Sequence, residues 1–316
     1  MKVTCLSVVT LLAFWAMFLI LISADDFVGE PLFPAMFVFG DSLVDDGNNN
    51  FLNSLAKANF APYGIDFSLG PTGRFSNGKT PIDLLGEKIG LPYLPPFADT
   101  ITQDINIFRG VNYASAASGI LDETGRHLGQ RISFRRQVQN FETTLSQLKT
   151  QMDDKSLNQH LAKSLTVVIH GSNDYINNYL MSKLYLTSFI FDPKSYADLL
   201  ISLYKKQILV LHGLGLRKFL LGGLGPLGCI PNQLSRGSAP PGQCVSYVNN
   251  IVSMFNDVLR SLVDELNSEY DGSVFVYGNT YGSLSDIISN PTIYGKIVIP
   301  KYRNVIDLNI YHMMLM

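Results

Sequence analysis

The chain has 316 residues, of which 47% are hydrophobic and 16% charged, and a formal net charge of −2. That length and apolar content are enough to bury one large core without requiring a second domain. The weakly acidic balance argues against a nucleic-acid partner.

At the N-terminus, Lys2 precedes a nearly uncharged stretch from Leu6 to Ile22, and Ser23-Ala24 stand before the acidic pair Asp25-Asp26. This is the layout of a secretory signal peptide over residues 1–24. The apolar run is at the lower edge of what spans a bilayer, so an uncleaved anchor is the alternative. The small residues ahead of the acidic pair favour cleavage. The expectation is a secreted, extracellular chain with no stable membrane insertion after cleavage. Of the three cysteines, Cys5 leaves with the signal, and Cys229 and Cys244 remain as an even pair in an oxidising compartment, so a bridge between them is expected.

The run from Met36 to Gly40 is apolar and β-rich, and it stops at a glycine followed by Asp41-Ser42. Such a stop leaves a serine hydroxyl at the carboxyl edge of a sheet, where open α/β folds place their ligands. A helix starting there would also aim the Ser42 N–H at an oxyanion, whereas the plain alternative is that Asp41 and Ser42 cap that helix. Further β-rich runs follow at Gly110 to Ala114, Thr166 to His170, Lys218 to Leu221 and Ser273 to Tyr277. Helical apolar spacing falls between them at Pro81 to Ile89, Phe134 to Lys149, Tyr196 to Leu214 and Val245 to Leu266. Strand-helix alternation of this kind predicts an α/β fold, a five-stranded parallel sheet covered by helices on both faces in three α/β/α layers.

The pattern Gly40-Asp41-Ser42-Leu43-Val44-Asp45-Asp46-Gly47-Asn48-Asn49-Asn50 resembles the first block of the plant GDSL esterase/lipase family of SGNH hydrolases. Later blocks of that family are matched in order by Gly73 to Gly78, Gly110 to Gly119, Gly171 to Tyr179, Gly215 to Lys218, Gly225 to Pro231 and Asn290 to Gly295. An ordered series is far more specific than any one motif. The resemblance implies an SGNH, flavodoxin-like domain over residues 25–295 and hydrolysis of acyl esters through an acyl-Ser42 intermediate. It also implies an oxyanion hole built from the Gly119 N–H and the Asn173 side-chain amide. No cofactor or metal is implied, the expected partner is an acyl-ester small molecule or lipid, and the chain is expected to be a monomer.

Beyond Gly295 the resemblance stops. Family members continue to an Asp-x-x-His motif that supplies the acid and base of the triad, whereas Asp307 and His312 here are five apart in an unrelated tail, residues 296–316. Of the other histidines, His127 and His160 lie in polar stretches and are expected to be solvated, and His212 is expected as a cation at a helix C-terminus. His170 ends a strand on the catalytic edge, but no orienting carboxylate stands beside it, so a buried structural role is expected. Serine hydrolases of other folds lose on the order of a millionfold in turnover without the base. Two functions follow from the sequence: a secreted GDSL-type esterase or lipase, and a catalytically impaired isoform that binds esters only.

Two weaker patterns carry no function. Gly223 to Gly228 has a dinucleotide-binding spacing, but Pro226 and Pro231 prevent the helix that must follow. The acidic pairs Asp25-Asp26, Asp45-Asp46 and Asp153-Asp154 have no histidines at ligand spacing.

Overall fold

The computed structural model describes residues 30–101, 105–236, 239–240 and 242–294. The expected signal segment 1–24, Gly295 and the segment 296–316 lie outside the described residues. Five parallel strands, β1 (Met36–Gly40), β2 (Gly110–Asn112), β3 (Leu165–Ile169), β4 (Lys218–Gly222) and β5 (Val274–Gly278), form one sheet in the order β2-β1-β3-β4-β5. All five expected strands are present, with ends shifted by no more than two residues. Past Asn112 the chain still bonds to β1, through the Tyr113 N–H to the Val38 carbonyl at 2.8 Å and the Ser115 N–H to the Gly40 carbonyl at 3.0 Å, and side chains add to this bonding. Asn48 Nδ2 donates to the carbonyls of Asn112 and Ala114 at 2.9 and 2.8 Å, and Asn112 Oδ1 accepts the Ala114 N–H at 2.9 Å.

Alternation along β1 divides the core, since successive side chains of a strand point to opposite faces. Phe37 and Phe39 face one way, toward helices α2 (Phe134–Lys149), α3 (Asp154–Lys163), α4 (Pro193–Gly213) and α5 (Ser246–Glu269). Met36 and Val38 face the other way, toward helix α1 (Pro81–Lys88). Phe39 stacks on Tyr113 at 4.9 Å between ring centroids, and Phe37 meets Phe141 edge-on at 5.1 Å, pairs worth about 0.5–1.5 kcal/mol each beyond the area they bury.

The helices start where local chemistry favours it. Thr80 and Asp83 make a reciprocal capping box ahead of α1, and Asp192 accepts the N–H groups of Lys194 and Ser195 ahead of Pro193 in α4. The sequence pattern did not predict α3 or α6 (Thr280–Ser289). α3 buries just Leu157 and Leu161, and α6 buries no residue fully, so neither carries a full apolar stripe.

The two faces are covered unequally. On the α1 side no described helix lies over the β5 end, where Val274 and Val276 are 52% and 49% exposed. Among the described residues no helix is long and apolar enough to cross a membrane.

Candidate active site

In a sheet of this order the connections after β1 and after β3 leave in opposite directions, opening a crevice at the carboxyl ends of those strands. Ser42 follows β1 and Asn173 follows β3, and both line the same cavity of about 370 Å³. Apolar side chains, among them Leu43, Ile169, Ile176, Leu227, Ile230 and Leu284, make up most of its wall.

The turn carrying Ser42 is not the start of a helix. Val44 N–H bonds to the Asp41 carbonyl at 3.2 Å and Leu43 N–H to Asp41 Oδ1 at 3.0 Å, and helical structure resumes only at Asn48–Phe51. A helix dipole therefore plays no part at Ser42. Ser42 is 6% exposed, and neither its hydroxyl nor its N–H bonds to any described residue, so both are free to meet a ligand. Asp45 ties the following loop down: Oδ1 accepts from Gly47 and Asn48 at 2.8 Å each, and Oδ2 accepts from Ala116 at 2.9 Å. Both aspartates thus hold backbone.

Asn173 Nδ2 donates to the carbonyl of Ser118 at 2.9 Å, and its Oδ1 accepts from Asn177 Nδ2 at 2.6 Å. This orients the amide and leaves its second N–H unclaimed. It also brings Asn173 against the residue before Gly119. Gly119 itself does not line the cavity. A Cβ there would come within 2.6 Å of both Asp174 carboxylate oxygens and of Thr124 Cγ2, so the backbone packs closer than any side chain would allow. Asp174 is the anchor: it accepts from the N–H groups of Ile120 and Leu121 at 2.8 and 3.0 Å and from Thr124 Oγ1 at 2.7 Å.

Burial pushes the carboxyl of Asp41 up to about 7, and its Oδ2 meets no described partner. Asp174 rises to about 6, because burial outweighs the three hydrogen bonds that favour its charged form. The histidines stand elsewhere. His170 is fully buried, with Nε2 3.3 Å from Gln137 Oε1 and its ring on Phe134 at 4.6 Å, and burial pushes it down to about 3. It is therefore neutral and structural, as expected. His127 bonds to Tyr185 at 2.9 Å rather than standing in solvent, and His160 is half-buried with no described partner for its buried Nε2. His212 bonds to Ser273 at 2.9 Å, and burial together with Arg217 lowers its pKa, which disfavours the expected cation. None of these four lines the cavity.

The GDSL-like Lipase/Acylhydrolase profile matches residues 36–298, a span that takes in every segment of this site. The chain belongs to that family. It is 58% identical to GDSL esterase/lipase At5g08460 of Arabidopsis thaliana, over 84% of this chain and 70% of that protein. It is 55% identical to GDSL esterase/lipase At1g71250 of the same plant, over 86% and 73%, and 51% identical to GDSL esterase/lipase 7, over 85% and 74%. The family's proteins are carboxylic ester hydrolases, and a serine hydroxyl free in an apolar cavity suits that chemistry.

Sequence reasoning within the GDSL framework missed several residues that shape the site. Asp174 and Arg74 appeared in its motifs without a role. Arg74 pairs with Asp83 at 2.7 Å and lies 3.6 Å from Asp46, beneath the loop that follows Ser42. Gln137 interrupts the apolar stripe Phe134, Val138, Phe141, Leu145 of α2, and a polar residue on such a stripe is a signal that periodicity alone could have flagged. The wall from Asn279 to Leu284 carried no such signal.

Proposed function

We propose that this chain is a secreted serine esterase or lipase in which Ser42 is the nucleophile and the amide of Asn173 and the N–H groups of Ser42 and Gly119 receive the oxyanion. The observation that carries the reading is Ser42 with an unbonded hydroxyl in an apolar cavity whose facing wall presents an oriented asparagine amide. Ser42 Oγ attacks the acyl carbonyl carbon, the carbonyl oxygen takes the electron pair, and the serine proton passes to a base. Collapse breaks the bond to the alcohol oxygen, which leaves with that proton. Water then attacks the acyl-Ser42 ester in the same way, releasing the acid and restoring the hydroxyl. Apolar walls favour an aliphatic or aromatic acyl group over a charged one. The bridge between Cys229 and Cys244 supports passage through an oxidising compartment.

No described histidine lines the cavity. The same observation favours a second reading, in which the chain binds acyl esters and turns them over very slowly. Hydrolysis of p-nitrophenyl esters of graded acyl length by the purified chain, with Ser42→Ala as control, separates the two. Turnover that requires Ser42 supports the first reading. Saturable ester binding with equal background hydrolysis in both proteins supports the second, and the absence of both binding and turnover refutes each.

A further inference from the structure

We propose that Gln137 is a positioning residue, a single buried side-chain amide that holds the chain just ahead of Ser42, Gly119 and Asn173 in mutual register. The proposal rests on the reading of those three residues given above. Gln137 lies in the first turn of α2 and is fully buried. Its Oε1 accepts the Gly40 N–H at 2.9 Å, and its Nε2 donates to the Gly40 carbonyl at 2.9 Å. Both backbone groups of the last residue of β1, two positions before Ser42, are thus held by one side chain. The same Nε2 lies 3.3 Å from Ser118 Oγ, one residue before Gly119, and 3.0 Å from the Ile132 carbonyl. The same Oε1 lies 3.3 Å from His170 Nε2, three residues before Asn173.

The orientation of this amide follows from its partners. The Gly40 N–H requires an acceptor and the two carbonyls require donors, so Oε1 and Nε2 cannot be exchanged. His170 then donates through Nε2–H to Oε1, which assigns the neutral ring its tautomer and leaves Nδ1 without a described partner.

Backbone pairing of this edge segment with β1 ends where the Ser115 N–H donates to the Gly40 carbonyl at 3.0 Å, so Gln137 grips the same Gly40 that closes the pairing and reaches on to Ser118, ahead of Gly119. Gln137 on one side of Ser118 and Asn173 on the other fix that segment relative to the serine turn. Small displacements of reacting groups are expensive: about 1 Å can cost about a hundredfold in rate.

The test uses the full chain and two readouts. One is the inactivation kinetics of a fluorophosphonate ester at Ser42, resolved into a maximal rate and a half-saturating concentration. The other is amide hydrogen exchange of peptides covering 40–43, 118–121 and 171–174. Gln137→Met is expected to lower the maximal rate by about ten- to a hundredfold with little change in half-saturation, and to speed exchange in all three segments. Thr144→Val, which removes the buried 2.8 Å bond between Tyr113 and Thr144 on the same helix, serves as the control. It is expected to lower thermal stability and leave both readouts as in the wild type. If Gln137→Met yields no folded protein, Ser118→Ala decides, with faster exchange expected at 118–121. Unchanged exchange in the three segments, or equal changes in Thr144→Val, overturns the proposal. A wild-type chain that reacts with no fluorophosphonate at Ser42 counts against the esterase reading instead, and the exchange arm still decides the role of Gln137.

Discussion

The wall of the cavity built by the ends of β1 and β3 differs in kind from the wall built after β4 and β5. On the first side, Ser42 and Asn173 stand on backbone pinned by buried polar side chains: Asp41, Asp45, Gln137 and Asp174 each bond main-chain groups in or beside the site. On the second side, Leu227 and Ile230 flank a disulfide, and α6 contributes Ser283 and Leu284 from a helix with no fully buried residue. Buried hydrogen bonds fix direction, whereas apolar contact fixes only volume. One wall is therefore suited to hold chemistry in place and the other to adapt to an acyl group.

The comparison can be broken from the rigid side first. Arg74→Met leaves Asp46 and Asp83 buried without their cation, and breaking such a pair costs about 3–5 kcal/mol. Denaturant unfolding should show a loss of that size, and a loss below about 1 kcal/mol would mean the network is not holding the loop. Next, Asn173→Ala should lower the rate of Ser42 acylation by about a hundred- to a thousandfold, as expected for an oxyanion donor. A change of less than about threefold would remove Asn173 from that role.

The adaptable wall is sharpened by its staple. Cys244→Ser opens a bridge spanning a sequence separation of 15, and the expected loss is about 3 kcal/mol. Intact mass before and after alkylation checks that the bridge is present, and unfolding checks the size of the loss.

The last effect is in pH. Asp41 has a folded pKa of about 7 against an ordinary 3.8, so folding favours its protonated form. That contribution is complete below about pH 4 and is lost as pH rises through about 7. Stability should therefore fall between about pH 4 and 7, by up to about 1.4 kcal/mol per pH unit for one proton. Asp41→Asn should shallow that fall without abolishing it, because burial pushes Asp45 and Asp46 up to about 7 as well. An equal slope in both proteins would show that Asp41 does not take up the proton.

The sequence revealed the parts of the fold that depend on local pattern. β1 and α2 were legible because a β-rich apolar run and a wide apolar stripe are each sufficient evidence. α6 was not, because a helix that buries nothing fully leaves no stripe. Ser42 and Asn173 were legible from motifs, and both reach the cavity. The setting of Gly119 was not, since it depends on Asp174 meeting the loop 120–124 across some fifty residues of chain. The role of Gln137 stayed hidden for the same reason: its partners come from three separate strand ends.

The central claim is that Ser42 is a nucleophile served by fixed donors. The most direct measurement is to treat the purified chain with a fluorophosphonate ester and map the adduct by peptide mass spectrometry. The account predicts a single phosphonyl adduct on Ser42, slowed by Asn173→Ala and absent in Ser42→Ala. An adduct on another residue, or equal labelling of the wild type and Ser42→Ala, would contradict it.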